Sequence, residues 1–163
     1  MYPGPLKENF KDRAGPLDKF VETNETIRGK DANGAPYAVR LFADAGREHM
    51  EKFGTTIEQI AKIAAKNHKH SQNNKNALFR RPFTTKEVME SPMVHSPVQI
   101  LACCPNSDGA AAAILVSEEF VRKHQLEAQA VEICGYALTT DTPSTFARSC
   151  IDLVGGSMSK SAA

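Results

Sequence analysis

No apolar run in the chain approaches the roughly 20 residues that a membrane-spanning helix needs, so a transmembrane span is not expected. No sign of charge dominates either. The 20 Lys and Arg stand against 19 Asp and Glu, a formal net charge of +1. That balance supplies no overall basic field to draw a nucleic acid or an anionic membrane. Met1-Tyr2-Pro3-Gly4-Pro5 lacks the basic and apolar regions of a signal peptide, so no secretory leader is expected. Cysteine is sparse: Cys103, Cys104, Cys134 and Cys150. Neighbours on a strand point to opposite faces, so Cys103 and Cys104 are not expected to pair, and the thiols fit a reduced, intracellular setting. Paired C-x-x-C and H-x3-H spacings are missing, which argues against a zinc site among His68, His70, His95, Cys103 and Cys104. There is no internal repeat. Length and ordinary composition fit one globular domain able to bury a core.

What the chain does have is a dense turn between two apolar runs in residues 91–120. The first run, 97–103, has the length of a strand and opens on Pro97, where a missing N–H is tolerated. The second, 110–116, is apolar throughout, as in a strand buried on both faces. Between them, Pro105-Asn106-Ser107-Asp108-Gly109 is rich in turn formers, and Gly109 is expected at positive φ or at a close backbone approach. Ser117 is an N-cap, with Glu118 and Glu119 in the first turn of a helix that runs to His124. A third strand is expected over 128–139.

Upstream, residues 1–35 read as an irregular lead-in, with at most a short helical turn at 16–21. Pro36 suits the first position of a helix over 36–53, whose stripe is Val39, Phe42, Gly46, His49, Met50 and Phe53. Gly54 ends it at the usual place. Thr55 with Glu58 is a capping box for a second helix, and Thr84 with Glu87 another for a short helix to Glu90. The first two helices are expected to pack on each other, the second reaching Ser71 at its longest. Residues 67–81 are polar, basic and turn-forming and read as a loop after the second helix. After a linker at 141–144, one apolar cluster, Ile151, Leu153 and Val154, precedes Gly155-Gly156 and a small-residue stretch like the first turn of a helix. Strands with helices give an α/β class, but the strands are too few for a complete sheet.

The residue types allow several chemistries. Cys103 or Cys104 is a nucleophile only if a helix N-terminus or a cation lowers its pKa. Before Pro105, at a strand end, inert thiols are expected. Asp108 has the chemistry of a base but the setting of a turn former. Lys66, Lys69, Lys75, Arg80 and Arg81 form a basic cluster suited either to phosphates or to plain solvation.

Cys103-Cys104-Pro105-Asn106-Ser107-Asp108-Gly109-Ala110-Ala111-Ala112-Ala113, followed by Val116-Ser117-Glu118, resembles the thiolase superfamily. The double cysteine, Ser91-Pro92-Met93, and Asn67-His68-Lys69-His70-Ser71 with Asn73-Asn74 resemble its sterol carrier protein X-type branch. The likeness runs from about Phe10 to the C-terminus. It implies an incomplete thiolase-like α/β fold: a helical loop-domain-like region over 36–95, strand-turn-strand-helix-strand of the N-terminal half over 96–142, and a linker with the start of the C-terminal half over 143–163. Against the family, Met1 falls well inside the N-terminal half of a longer chain. The chemistry implied is acyl transfer on 3-oxoacyl-CoA in lipid metabolism, in a peroxisome, with coenzyme A thioester as substrate and no further cofactor. The family's nucleophilic cysteine motif and its C-terminal catalytic loops have no counterpart here, so no catalytic residue and no metal ligand is assigned. Cys104, Asn106, Ser107, His68 and Lys69 are the implied coenzyme A contacts. Missing thiolase portions or a homo-oligomeric partner would complete the sheet. The alternative is a non-catalytic acyl-CoA- or lipid-binding or interaction protein on a thiolase scaffold.

Overall fold

In the computed structural model, residues 15, 17–30 and 34–163 are described. Most of the expected lead-in therefore lies outside the described residues. In order the elements are α1 (Asp18–Arg28), α2 (Tyr37–Phe53), α3 (Ile57–Ser71), α4 (Thr85–Glu90), β1 (Met93–His95), β2 (Val98–Gln99), α5 (Glu118–Lys123), α6 (Cys150–Leu153) and α7 (Gly156–Ala162). Short 3₁₀ turns occupy Ile100–Ala102 and Pro143–Phe146. The described residues divide into two compact units, one of residues up to Pro105 with Thr139–Ala163, the other Asn106–Leu138. The architecture is mixed and helix-rich, with one small two-stranded sheet among the described residues.

Helix ends follow their local chemistry. Thr84 and Glu87 close a capping box at α4, as expected. The box at α3 sits one residue later than expected: Thr56 caps, and Gln59 rather than Glu58 reaches back to it. Pro36 is the N-cap of α2, not its first helical residue, and its ψ of 136° is extended. Gly54 ends α2 with φ 69°, a left-handed conformation that glycine adopts without a Cβ penalty. Ser117 caps α5 by accepting the Phe120 N–H at 3.2 Å. α1 is eleven residues long, well beyond the short turn expected at 16–21.

The packing of α2 departs most from expectation. Its apolar stripe is only partly covered: Phe42 is 63% exposed and Phe53 67%, while Val39, Gly46 and Met50 are half-buried. The buried face carries Arg40, Leu41, Ala43, Asp44, Ala45 and Glu48. Arg40, Asp44 and Glu48 are four residues apart and so lie on one side of the helix. α2 packs chiefly on α1 and α6, while α3 packs on α4. The expected α2–α3 packing is therefore slight, with Gly46 of α2 facing Ile60 of α3, and each helix has its main partners elsewhere. The apolar core under α3 is small: Ala61, Ala64 and Val88, joined by Ala65, Phe83, Leu101 and Ala102. Alanines there allow close approach but bring little apolar area. The tail is no loose end: Cys150 and Leu153 are buried and hold α6 against α2.

The expected strands are largely unformed. Over 97–103 only Val98–Gln99 pairs, antiparallel to β1, before the chain tightens into the 3₁₀ turn. The Ser96–Pro97 peptide is cis. Residues 110–116 and 128–139 contain no strand. Their side chains, Tyr136 at 94% and Leu138 at 95% exposed among them, have no apolar cover. A strand is stable only when a neighbour takes its N–H and C=O groups, and among the described residues neither run is paired in a sheet. Nor do residues 105–109 close the expected turn. Gly109 is not among the positive-φ glycines, and nothing lies within 4 Å of where its Cβ would be. No described helix is long and apolar enough to cross a membrane.

Candidate functional site

One candidate site lies at the C-terminal end of α3. His68, in its last turn, donates from Nε2 to the Leu101 carbonyl at 2.9 Å. The His68 and Phe83 rings meet edge to face, with centroids 4.8 Å apart. The Arg81 guanidinium lies over the Phe83 ring, 4.7 Å from its centroid, and bonds Glu87 at 3.0 Å. The Glu87 carboxyl is held below the usual carboxylate range, chiefly by the backbone and hydroxyl bonds from Thr84. His68 thereby fixes the 3₁₀ turn that leads into Cys103 and Cys104. Cys103 is partly buried, its Sγ 3.5 Å from the Gln99 carbonyl, and burial first, then neighbouring Cys104, pushes its thiol pKa up. Cys104 is exposed. Lys69 is exposed beside His68. Asn106 and Ser107 are exposed at the start of the second unit. His68, Lys69 and Cys104 thus belong to the first unit and Asn106 and Ser107 to the second.

Among the described residues the setting of Cys103 does not activate its thiol. A thiolate needs a helix N-terminus or a cation, and Cys103 has the opposite setting. All four cysteines are free thiols. Among the described residues no three His, Cys, Asp or Glu side chains converge as metal ligands would. His68 and His95 have separate partners, a carbonyl and a carboxylate.

A second constellation was not visible in the sequence: the buried polar face of α2. Asp44 accepts from Asn24 Nδ2 at 2.9 Å and from His95 Nε2 at 3.4 Å, with Arg47 3.9 Å away. Arg40 pairs with Glu25 at 3.5 Å. Glu48 accepts from the Ser149 hydroxyl at 2.8 Å, the Cys150 N–H at 2.5 Å and Lys52 Nζ at 2.5 Å. Burial would push the Glu48 carboxyl up; the bonds from Lys52, Ser149 and Cys150 outweigh it and hold the pKa below the usual range. Arg28 grips Glu51 through two bonds of 3.1 and 2.9 Å. The only sequence signal was the four-residue spacing of Arg40, Asp44 and Glu48, which reads as a solvated face until α1 and α6 cover it.

No family profile matches the chain. Individual proteins do. Over its whole length it is 48% identical to "Sterol carrier protein 2" of Bos taurus, covering 30% of that protein. It is 42% identical to "Non-specific lipid-transfer protein-like 2" of Caenorhabditis elegans, over 97% of the chain and 39% of the relative. It is 43% identical over 84 residues to "Acetyl-CoA acetyltransferase" of Methanothermobacter thermautotrophicus, 52% of the chain and 22% of that enzyme. The chain thus matches sterol carrier protein 2 over its whole length, and thiolases match it over about half of it. Its place is in the sterol carrier protein X-type branch, of whose longer members it spans about 30%.

Proposed function

We propose that the chain is part of an acyl-CoA C-acyltransferase of lipid metabolism, a 3-oxoacyl-CoA thiolase, working in a peroxisome and without activity of its own. The observation that carries this reading is the whole-chain identity of 48% to a sterol carrier protein 2, together with the thiolase likeness. His68, Lys69, Cys104, Asn106 and Ser107 contact coenzyme A. Lys69 meets a phosphate as a charged donor, and His68 works from the end of α3. In the whole enzyme a cysteine outside these residues takes the acyl group, and backbone donors hold the thioester oxyanion.

The test is calorimetric titration of the chain with coenzyme A and with its 3′-dephospho form, beside an assay of acetoacetyl-CoA thiolysis. The reading expects coenzyme A binding weakened by His68→Ala and by Lys69→Gln, and no thiolysis. Thiolysis lost in Cys104→Ser would make the chain an enzyme in its own right. The exposed apolar side chains of residues 110–138 favour a second reading, a non-catalytic lipid-binding or interaction protein. Binding of acyl-CoA that tracks acyl length and ignores the coenzyme A phosphates would select it.

A further inference from the structure

From residue 59 to residue 86 the chain carries Lys62, Lys66, Lys69, Lys75, Arg80, Arg81 and Lys86 and no carboxylate. The near-zero net charge of the whole chain conceals this local field. Lys62 and Lys86 pair with Glu58 and Glu90 on their own helices, and Arg81 with Glu87. Lys66, Lys69, Lys75 and Arg80 are exposed and make no ion pair among the described residues.

Within this field two large apolar side chains stand out of the surface. Leu78 is 60% exposed and Phe79 54%. The loop that carries them is built. Asn74 accepts from Asn76 N–H through its side chain and from Ala77 N–H through its carbonyl, both at 3.0 Å. The Ser71 hydroxyl is 2.7 Å from the Phe79 carbonyl, which ties this backbone to the end of α3. Phe83, four residues on, is partly buried against His68 and the small core, so the fold seats one aromatic of this stretch and leaves Phe79 out.

We propose that this loop is a docking element for an anionic lipid surface. Leu78 and Phe79 enter the headgroup boundary, and Lys66, Lys75 and Arg80 meet the lipid phosphates around them. Apolar side chains ringed by cations gain twice at such a surface, from burial and from its negative potential. A soluble nucleotide would satisfy the cations but give the apolar pair no cover.

Co-sedimentation of the full chain with phosphatidylcholine–phosphatidylserine vesicles, against phosphatidylcholine alone, tests this. Binding is expected to the anionic vesicles and to weaken with salt. Lys75→Gln with Arg80→Gln should lower the partition about 25-fold, about fivefold per cation. Leu78→Ser with Phe79→Ser should lower it at least tenfold at unchanged circular dichroism. Lys123→Gln, on α5, should not change it. Equal binding to neutral vesicles, binding that survives both double variants, or full release by soluble coenzyme A would each overturn the proposal.

Discussion

The two units solve opposite problems. The first buries charge: Asp44 is 2% exposed and Glu48 5%, each held by several donors. The second exposes oil: Ile114, Leu115, Val131 and Tyr136 meet water. The contrast shows that hydrophobic pattern and burial are separate facts. A residue is buried when something covers it, and cover comes from the chain's path. α1 and α6 cover the polar side of α2, whereas nothing among the described residues covers 110–116 or 128–138. The polar lock is tolerable because its groups are paired; paired buried ions add little stability over apolar packing but are costly to break.

The largest effect is expected at that lock. Glu48→Ala leaves Lys52, the Cys150 N–H and the Ser149 hydroxyl without their common acceptor, and should cost roughly 3 kcal/mol. Urea unfolding followed by circular dichroism measures it; a loss under about 1 kcal/mol would mean that α6 does not depend on Glu48. The same carboxylate makes stability depend on pH. Its pKa is lower folded than unfolded, so the stabilisation is full above the unfolded value of about 4.3 and is lost as pH falls through the folded value. Urea midpoints from pH 7 downward should fall more steeply for the parent chain than for Glu48→Gln. Parallel curves would remove Glu48 from the account.

Glycines give a smaller contrast. Gly54→Ala should cost roughly 1 kcal/mol, because φ is 69° there. Gly109→Val should change stability by less than about 0.5 kcal/mol, since neither strain nor a neighbour opposes a side chain. Equal losses at the two positions would mean that the turn at 105–109 does close in solution. Smallest of all for stability, Leu138→Ser should leave the unfolding midpoint unchanged within error while reducing self-association in sedimentation velocity. A lowered midpoint would place Leu138 in a core.

Much of the helical fold was legible because helix ends are local. Gly54, Thr84 with Glu87, and Ser117 act within one turn of where they stand, and the end of α2 and the starts of α4 and α5 followed from them. What failed was non-local. The Val39–Phe53 stripe has helical spacing, but no spacing says which face α1 and α6 will cover. Residues 110–116 read as a strand from their length and the turn formers before them, but a strand needs a partner. The double cysteine and the Asp-Gly turn carried the superfamily, because resemblance reads a longer fold than these residues form. Of the candidate contacts, His68 was found by motif, and its bond to Leu101, 33 residues away, only by structure. Asp44 and Glu48 were passed over because charged side chains four apart on a helix ordinarily face water.

The contrast between a first unit with buried, paired charge and a second with exposed apolar runs is tested most directly by amide hydrogen exchange on the intact chain. The account predicts strong protection in α2 and α3, and exchange near the rate of unstructured peptide over 110–116 and 128–138. Strong protection at 110–116 in a monomeric chain would contradict it, because those amides would then have partners that the uncovered arrangement does not supply.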